Sequence, residues 1–229
     1  MKKIKAFTFI FSISLLISSC IVYHPMMADI PLISKKNELR IDGGVSLVPA
    51  ANATVSYGLT KAIAIQGFGD ISDKNNYYVQ AAAGYFRQIS QHQVIEFYSG
   101  YGYGHGLADT DATSGRLFGH YQLYFGQANF GRIADEKSNL EIGLGFKAGF
   151  LKSVFTDQNF YKWTSENGPF ITYHDKSLLL EPQGFIRFGG KKIRFNLKIG
   201  RTFIHKYTHK DKALPLIPVN VGVGVNYKL

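Results

Sequence analysis

The strongest constraint on this chain is a strict alternation with a period of two. Leu140, Ile142, Leu144, Phe146, Ala148 and Phe150 are apolar, and Glu141, Gly143, Gly145, Lys147 and Gly149 stand between them. A helix would scatter these residues around its circumference, whereas a strand sorts them cleanly onto two faces. The pattern recurs along the chain. Leu39, Ile41, Val45 and Leu47 oppose Glu38, Arg40, Asp42 and Ser46. Ile95, Phe97, Tyr101 and Tyr103 alternate with Glu96, Tyr98, Gly100 and Gly102, and Ile193, Phe195, Leu197 and Ile199 with Arg194, Asn196 and Lys198. The last such run spans residues 219–229, with Val219, Val221, Val223, Val225, Tyr227 and Leu229 on one face. Ten strands are expected, all in one domain over residues 37–229, with no internal sequence repeat.

Two architectures satisfy such a pattern. A soluble barrel turns its apolar face inward, and a membrane barrel turns it outward. Three observations favour the second. Large Phe, Tyr, Leu and Ile residues fill the apolar face of nearly every strand, too many for a narrow lumen. The opposite face mixes Gly with residues of both charges, which can pair in a crowded interior. The connections expected after odd strands (49–51, 70–76, 106–115, 153–175 and 206–215) are mostly longer than those after even strands, such as 89–93, 134–139 and the Gly189-Gly190 turn. The expected fold is therefore all-β: a closed antiparallel up-and-down transmembrane β-barrel of about ten strands. Residues 37–229 resemble small bacterial outer-membrane β-barrel proteins of the eight- to ten-stranded kind. They depart from that pattern at the end, where Tyr227-Lys228-Leu229 replaces the usual terminal aromatic residue.

The first residues read differently. Lys2, Lys3 and Lys5 precede an apolar run over residues 7–17, which is short of the ~20 residues a membrane-crossing helix needs. The run ends Ile17-Ser18-Ser19-Cys20, and Cys20 is the only cysteine. This resembles the bacterial lipoprotein signal. The resemblance implies cleavage after residue 19, a covalent lipid on Cys20, and anchoring of the mature chain in the outer membrane. No other cofactor is expected. A single cysteine also means that no disulfide can form within the chain. Residues 20–36, with Pro25 and Pro31, are expected to be an extended lipidated tether. Loss of the three lysines lowers the formal charge from +10 to +7. An exported protein of this charge points to outer-membrane lipids as partners, not nucleic acid.

Candidate chemistry is sparse. Glu38, Arg40, Asp42, Glu96, Glu141, Lys147, Glu181, Arg187, Arg194 and Lys198 all fall on the polar face. Buried charges persist only when paired and hydrogen-bonded, so this set is expected to form a lumen-plugging charge network. The rival reading is a charge-lined pore, although ten strands are few for an aqueous channel. Residues 153–175 form the longest expected connection and hold Phe155, Phe160, Tyr161, Trp163, Phe170 and Tyr173. These aromatics make it a candidate external binding loop for a protein partner, with an aromatic girdle or a lid as the alternatives. His205 and His209 lack a third ligand, and Asp109-Thr110-Asp111 lacks the rest of a calcium loop, so no metal site is expected. His105, His120, Ser114 and Asp109 fall near one expected loop, which keeps a lipid-modifying enzyme among the alternatives without defining catalytic residues. The leading reading is a structural or partner-binding outer-membrane barrel; a small channel is the other alternative.

Overall fold

The computed structural model describes residues 30–46, 50–73, 75–111, 115–135, 138–159, 170–208 and 218–229. The strands are β1 (Leu39–Ser46), β2 (Ala51–Gly58), β3 (Ile63–Asp73), β4 (Asn76–Ser90), β5 (Gln93–Asp111), β6 (Gly115–Arg132), β7 (Leu140–Asn159), β8 (Phe170–Gly189), β9 (Ile193–Arg201), β10 (Phe203–Lys206) and β11 (Val219–Lys228). Each pairs antiparallel with its neighbours. β9 and β10 are one stave broken at Thr202, since both pair with β8 in a single continuous register. β11 then pairs with β9 and with β1, which closes the sheet into a ten-stave barrel. Closure removes the free edges that an open sheet would expose.

Alternation puts the two faces where the sequence suggests. On β7, Glu141 and Lys147 are buried, while Leu144 between them is 66% exposed. On β9, Arg194, Asn196 and Lys198 are buried, and Phe195 and Ile199 are about 60% exposed. The same inversion holds for Ile41 and Val45 on β1 and for Val55 on β2. It continues through Ile65, Val79, Phe97, Phe130, Phe188 and Val225 around the barrel. The outer surface is therefore a continuous apolar belt, and charge is gathered inside.

Three expectations about connections are corrected. Residues 106–115 are largely strand: β5 runs to Asp111 and β6 begins at Gly115, with His105 opposite His120. Residues 70–76 likewise shrink, because β3 ends at Asp73 and β4 starts at Asn76. Residues 153–159 and 170–175 extend β7 and β8, paired as far as Gln158 opposite Phe170. The barrel's asymmetry thus lies less in loop length than in strand length. β5 to β8 have 18 to 20 residues each, against 8 in β1 and β2. Ladder hydrogen bonds satisfy every backbone group of a hairpin that keeps pairing, so alternating segments continue as strand instead of opening into a loop.

We name the end carrying the β2–β3, β4–β5, β6–β7 and β8–β9 turns proximal and the other end distal. At the proximal end the β8–β9 turn spans residues 190–192 rather than Gly189-Gly190 alone, with Gly190 N–H donating to the Ile193 carbonyl at 2.8 Å. Gly189 holds φ +146°, and a methyl group there would sit 2.8 Å from the Ile193 oxygen. Only glycine adopts that conformation without strain. Gly189→Ala is expected to cost about 1–3 kcal/mol of folding stability. Gly190→Ala, whose added carbon meets nothing closer than 3.6 Å, should stay within about 0.5 kcal/mol. Urea titration of the detergent-folded barrel measures both.

Candidate functional site

The interior is the chemically distinctive part of this molecule. All ten residues of the expected charge network are buried in the lumen. They arise from five different strands and the residue before β1. Glu141 with Arg187 and Lys147 with Glu181 share a register on neighbouring staves, whereas Arg40 and Glu141 meet across the lumen from staves that do not pair.

Glu141 on β7 is the hub. Arg40 Nη1 lies 2.8 Å from its Oε2, Arg187 Nη1 3.6 Å from the same atom, and Arg194 Nη1 3.4 Å from its Oε1. Arg40 also reaches Glu38 at 2.7 Å. Lys198 pairs with Asp42, Asn196 donates to the other oxygen of Asp42 at 2.6 Å, and Arg187 Nε approaches it at 3.9 Å. Higher in the lumen Lys147 and Glu181 form a separate pair at 3.0 Å. Thr202 donates to Glu181 at 3.0 Å at the break between β9 and β10. Lys147 also lies 5.3 Å from the centre of the Phe125 ring.

Glu96 does not join an ion pair among the described residues. It accepts hydrogen bonds from Ile33 N–H at 2.7 Å, Asn129 Nδ2 at 2.9 Å and Tyr98 OH at 3.3 Å. Lys228 also belongs to the network, unforeseen among the expected charges, with Nζ 3.1 Å from Glu38. Its alternation with Val225 and Tyr227 already placed it on the inward face. That was the available signal.

The described end of the expected tether is a second unforeseen part of the site. Ile30, Pro31, Leu32 and Ile33 are buried inside the barrel. The Ile30 carbonyl accepts from Arg187 Nη2 at 2.8 Å, and Ser34 donates to Glu38 through both its backbone N–H and its hydroxyl. Leu32 adopts φ 53°, a left-handed conformation that leucine rarely takes, with its side chain fully buried. Inward glycines make room for this segment. A methyl group at Gly145 would sit 2.7 Å from Ile30 Cδ1, and one at Gly131 2.7 Å from Leu32 Cδ1. Ile30 and Leu32 pack with Val94, Ile133 and Phe185 in a small apolar cluster beside the charges. Above them Tyr78, Phe125, Tyr121, Leu123, Leu151 and Leu179 belong to a second, larger buried apolar cluster. Large side chains therefore occupy the inside as well as the outside. The density of aromatics in the sequence did not by itself assign a face.

The other candidates separate. Phe155 turns inward on β7 and is buried in the lumen cluster, so it is not part of an external surface. Tyr173 is half-buried on β8, and Phe170 is the first residue of that strand. Phe160, Tyr161 and Trp163 lie outside the described residues, as do Cys20, His209 and Ser114. His205 sits on β10 against Tyr207. Asp109 and Asp111 are in β5, not in an acidic loop.

No protein-family model matches the chain, and comparison with curated proteins gave no match. Among solved structures it is similar to a "KdgM porin", at 10% identity and a TM-score of 0.38, over 84% of this chain and 99% of that one. It is also similar to a "KdgM porin in complex with disordered oligogalacturonate", at 10% identity and a TM-score of 0.35 over the same shares. The likeness is one of general shape and assigns no ligand to this chain. What fold and interior define is a closed β-barrel with an apolar exterior and a charge-paired interior.

Removing Arg40 would strand Glu38 and Glu141 beside fewer cations. Arg40→Ala is expected to lower stability by about 3 kcal/mol, near the lower end for a broken buried ion pair because Arg187, Arg194 and Lys228 remain. Arg132→Ala, which breaks an exposed pair with Asp135, should cost at most about 1 kcal/mol. The urea midpoints of the two variants against wild type test the difference.

Proposed function

We propose that the protein is an integral outer-membrane β-barrel with a closed lumen, anchored through lipid on Cys20, serving as a membrane-embedded scaffold or partner-binding protein. The observation that carries this reading is the set of ion pairs and apolar clusters buried in the interior. The charge network centred on Glu141, the inserted segment 30–34 and the apolar cluster above them occupy successive levels of the lumen. A channel needs a continuous hydrated path, and packed ion pairs with apolar layers oppose one.

The membrane part of the reading rests on the exterior. Isolated exposed apolar side chains are ordinary, but a continuous apolar belt on a monomer marks a surface meant to be covered. A bilayer covers it on all sides at once, and the closed hydrogen-bonded sheet leaves no backbone edge unsatisfied in hydrocarbon. β3 to β8, the β9–β10 stave and β11 each reach 10 residues or more, enough for a tilted transmembrane strand, which needs about 9–11, and β1 and β2 reach 8 among the described residues. The lipid on Cys20 and a protein partner at the distal end are the remaining parts of the proposal. The first draws on the Ile17-Ser18-Ser19-Cys20 sequence. The second draws on the tall wall formed by β5 to β8.

Planar-bilayer recordings of the purified full-length barrel should show no steady open level at ordinary voltages. A stable single-channel conductance would replace this reading with the small-channel alternative. Leu144→Arg places a charge at the middle of the outer belt and should cost about 2–4 kcal/mol in vesicle-folding titrations. If the arginine is tolerated without loss, or if wild-type protein stays in the soluble fraction without detergent, the apolar belt does not face lipid.

A further inference from the structure

We propose that the outer face of β6, β7 and β8, just distal to the aromatic row, binds the phosphate of a membrane lipid headgroup through Lys152 and Lys176, with His120, His174 and Gln122 beside them. This rests on the membrane reading above and adds a specific site to it.

The register builds the site. Gln122, Lys152 and Lys176 face one another across the three strands, and His120, Val154 and His174 form the next outward row. One row the other way stand Tyr124, Phe150 and Leu178. Same-face rows along a strand are only about 7 Å apart. The outer surface therefore changes from aromatic and aliphatic to basic within a single step. That is the depth at which aromatic rings mark the interface and charged headgroups begin.

The lysines are placed against their own interest. Lys152 and Lys176 stand directly opposite on paired strands, and like charges so placed repel. Among the described residues no carboxylate pairs with either. Asp175, next to Lys176, turns into the lumen, where Thr208 donates to it at 3.1 Å and Lys206 approaches at 3.9 Å. The acid adjacent in sequence is thus engaged by Thr208 and Lys206 and not by either lysine. An anion lying between the two ammonium groups would convert the repulsion into two attractions.

The surroundings suit a phosphate. These side chains, with Ser153, Val154 and Asp175, line a concavity of about 220 Å³. Lys152, His174 and Lys176 are exposed, and His120 and Gln122 are half-buried. Lys152 lies 5.4 Å from the centre of the Tyr124 ring, and Tyr103 stacks on His120 at 6.0 Å, so the aromatic row steadies one side of the site. Ammonium, imidazole and amide groups supply several donors, matching the oxygens of a phosphate. The acyl chains of the same lipid would lie along Tyr124, Phe150 and Leu178, which a free phosphate could not use.

The test uses the full-length protein in dodecyl maltoside micelles with diphosphorylated lipid A as probe, counting retained lipid by native mass spectrometry. Wild type should retain lipid A, and K152E/K176E should retain about tenfold less or lower still at equal lipid concentration. Wild type should show a similar drop with lipid A stripped of its phosphates. K61E/K191E, which reverses charge at the proximal turns, should match wild type. Heat-modifiable migration on gels checks that each barrel is folded, and K152Q/K176Q takes over the comparison if the charge-reversed variant is not. Equal retention by wild type and the lysine variant, or by phosphorylated and stripped lipid, overturns the inference. So does displacement of the lipid by excess inorganic phosphate, which would mark a free-anion site. Failure of wild type to insert into phosphatidylcholine vesicles overturns the membrane reading and this inference with it. Insertion with unchanged retention overturns this inference alone.

Discussion

The contact on which the rest of the structure depends is that of Glu141 with Arg40, joined by Arg187 and Arg194. Charges removed from water into a narrow lumen are stable only if geometry pairs them closely and satisfies their remaining hydrogen-bonding groups. That requirement couples β1 to β7, β8 and β9, which lie far from it in sequence but meet it across the proximal end of the barrel. It also ties in residues 30–34, since Arg187 and Glu38 spend part of their hydrogen-bonding capacity on the backbone of that segment. The inward glycines of β6 and β7 serve the same end by leaving space for Ile30 and Leu32.

This arrangement inverts the usual soluble protein. The apolar stripe of each strand looks outward, so hydrophobic burial within the chain is supplied chiefly by the inserted segment and the tyrosine, phenylalanine and leucine layers of the lumen. The exterior depends on its surroundings for stability. A closed sheet suits that dependence because its backbone groups are already paired and ask nothing of the medium. The basic row on β6 to β8 fits the same logic, since a surface that changes from aromatic to cationic in one step matches a boundary between hydrocarbon and headgroups.

Much of this was legible in the residues. Leu140 to Phe150 could only be a strand, and Glu141 and Lys147 had to share one face of it. The ten charged positions were recognisable as one shared face for the same reason. Their partners were not: nothing in the spacing says that Glu141 meets Arg40, 101 positions away, rather than Lys147 close by. The buried place of residues 30–34 was also hidden. A short segment with a proline and no period looks like a tether until a cavity of matching shape exists for it. Strand ends were misjudged at residues 106–115 and 153–175 because Gly, Asp and Ser read as turn formers. A long hairpin keeps such residues in strand when the opposite stave is there to pair with them.

The sequence by itself therefore determined the period, the class of fold, the stave count and the identity of the charged face. The period and the shared charged face follow from side chains alternating along a single strand, which is a local property, and the stave count and all-β class follow from how many such runs the chain holds. Only the tertiary structure decided which charges pair, how far β5 to β8 extend and what fills the lumen. It also decided that Lys152 and Lys176 oppose one another outside while Asp175 turns in. These depend on register between strands and on the residual volume left when the sheet closes. Both are set by contacts across the barrel that no stretch of sequence contains.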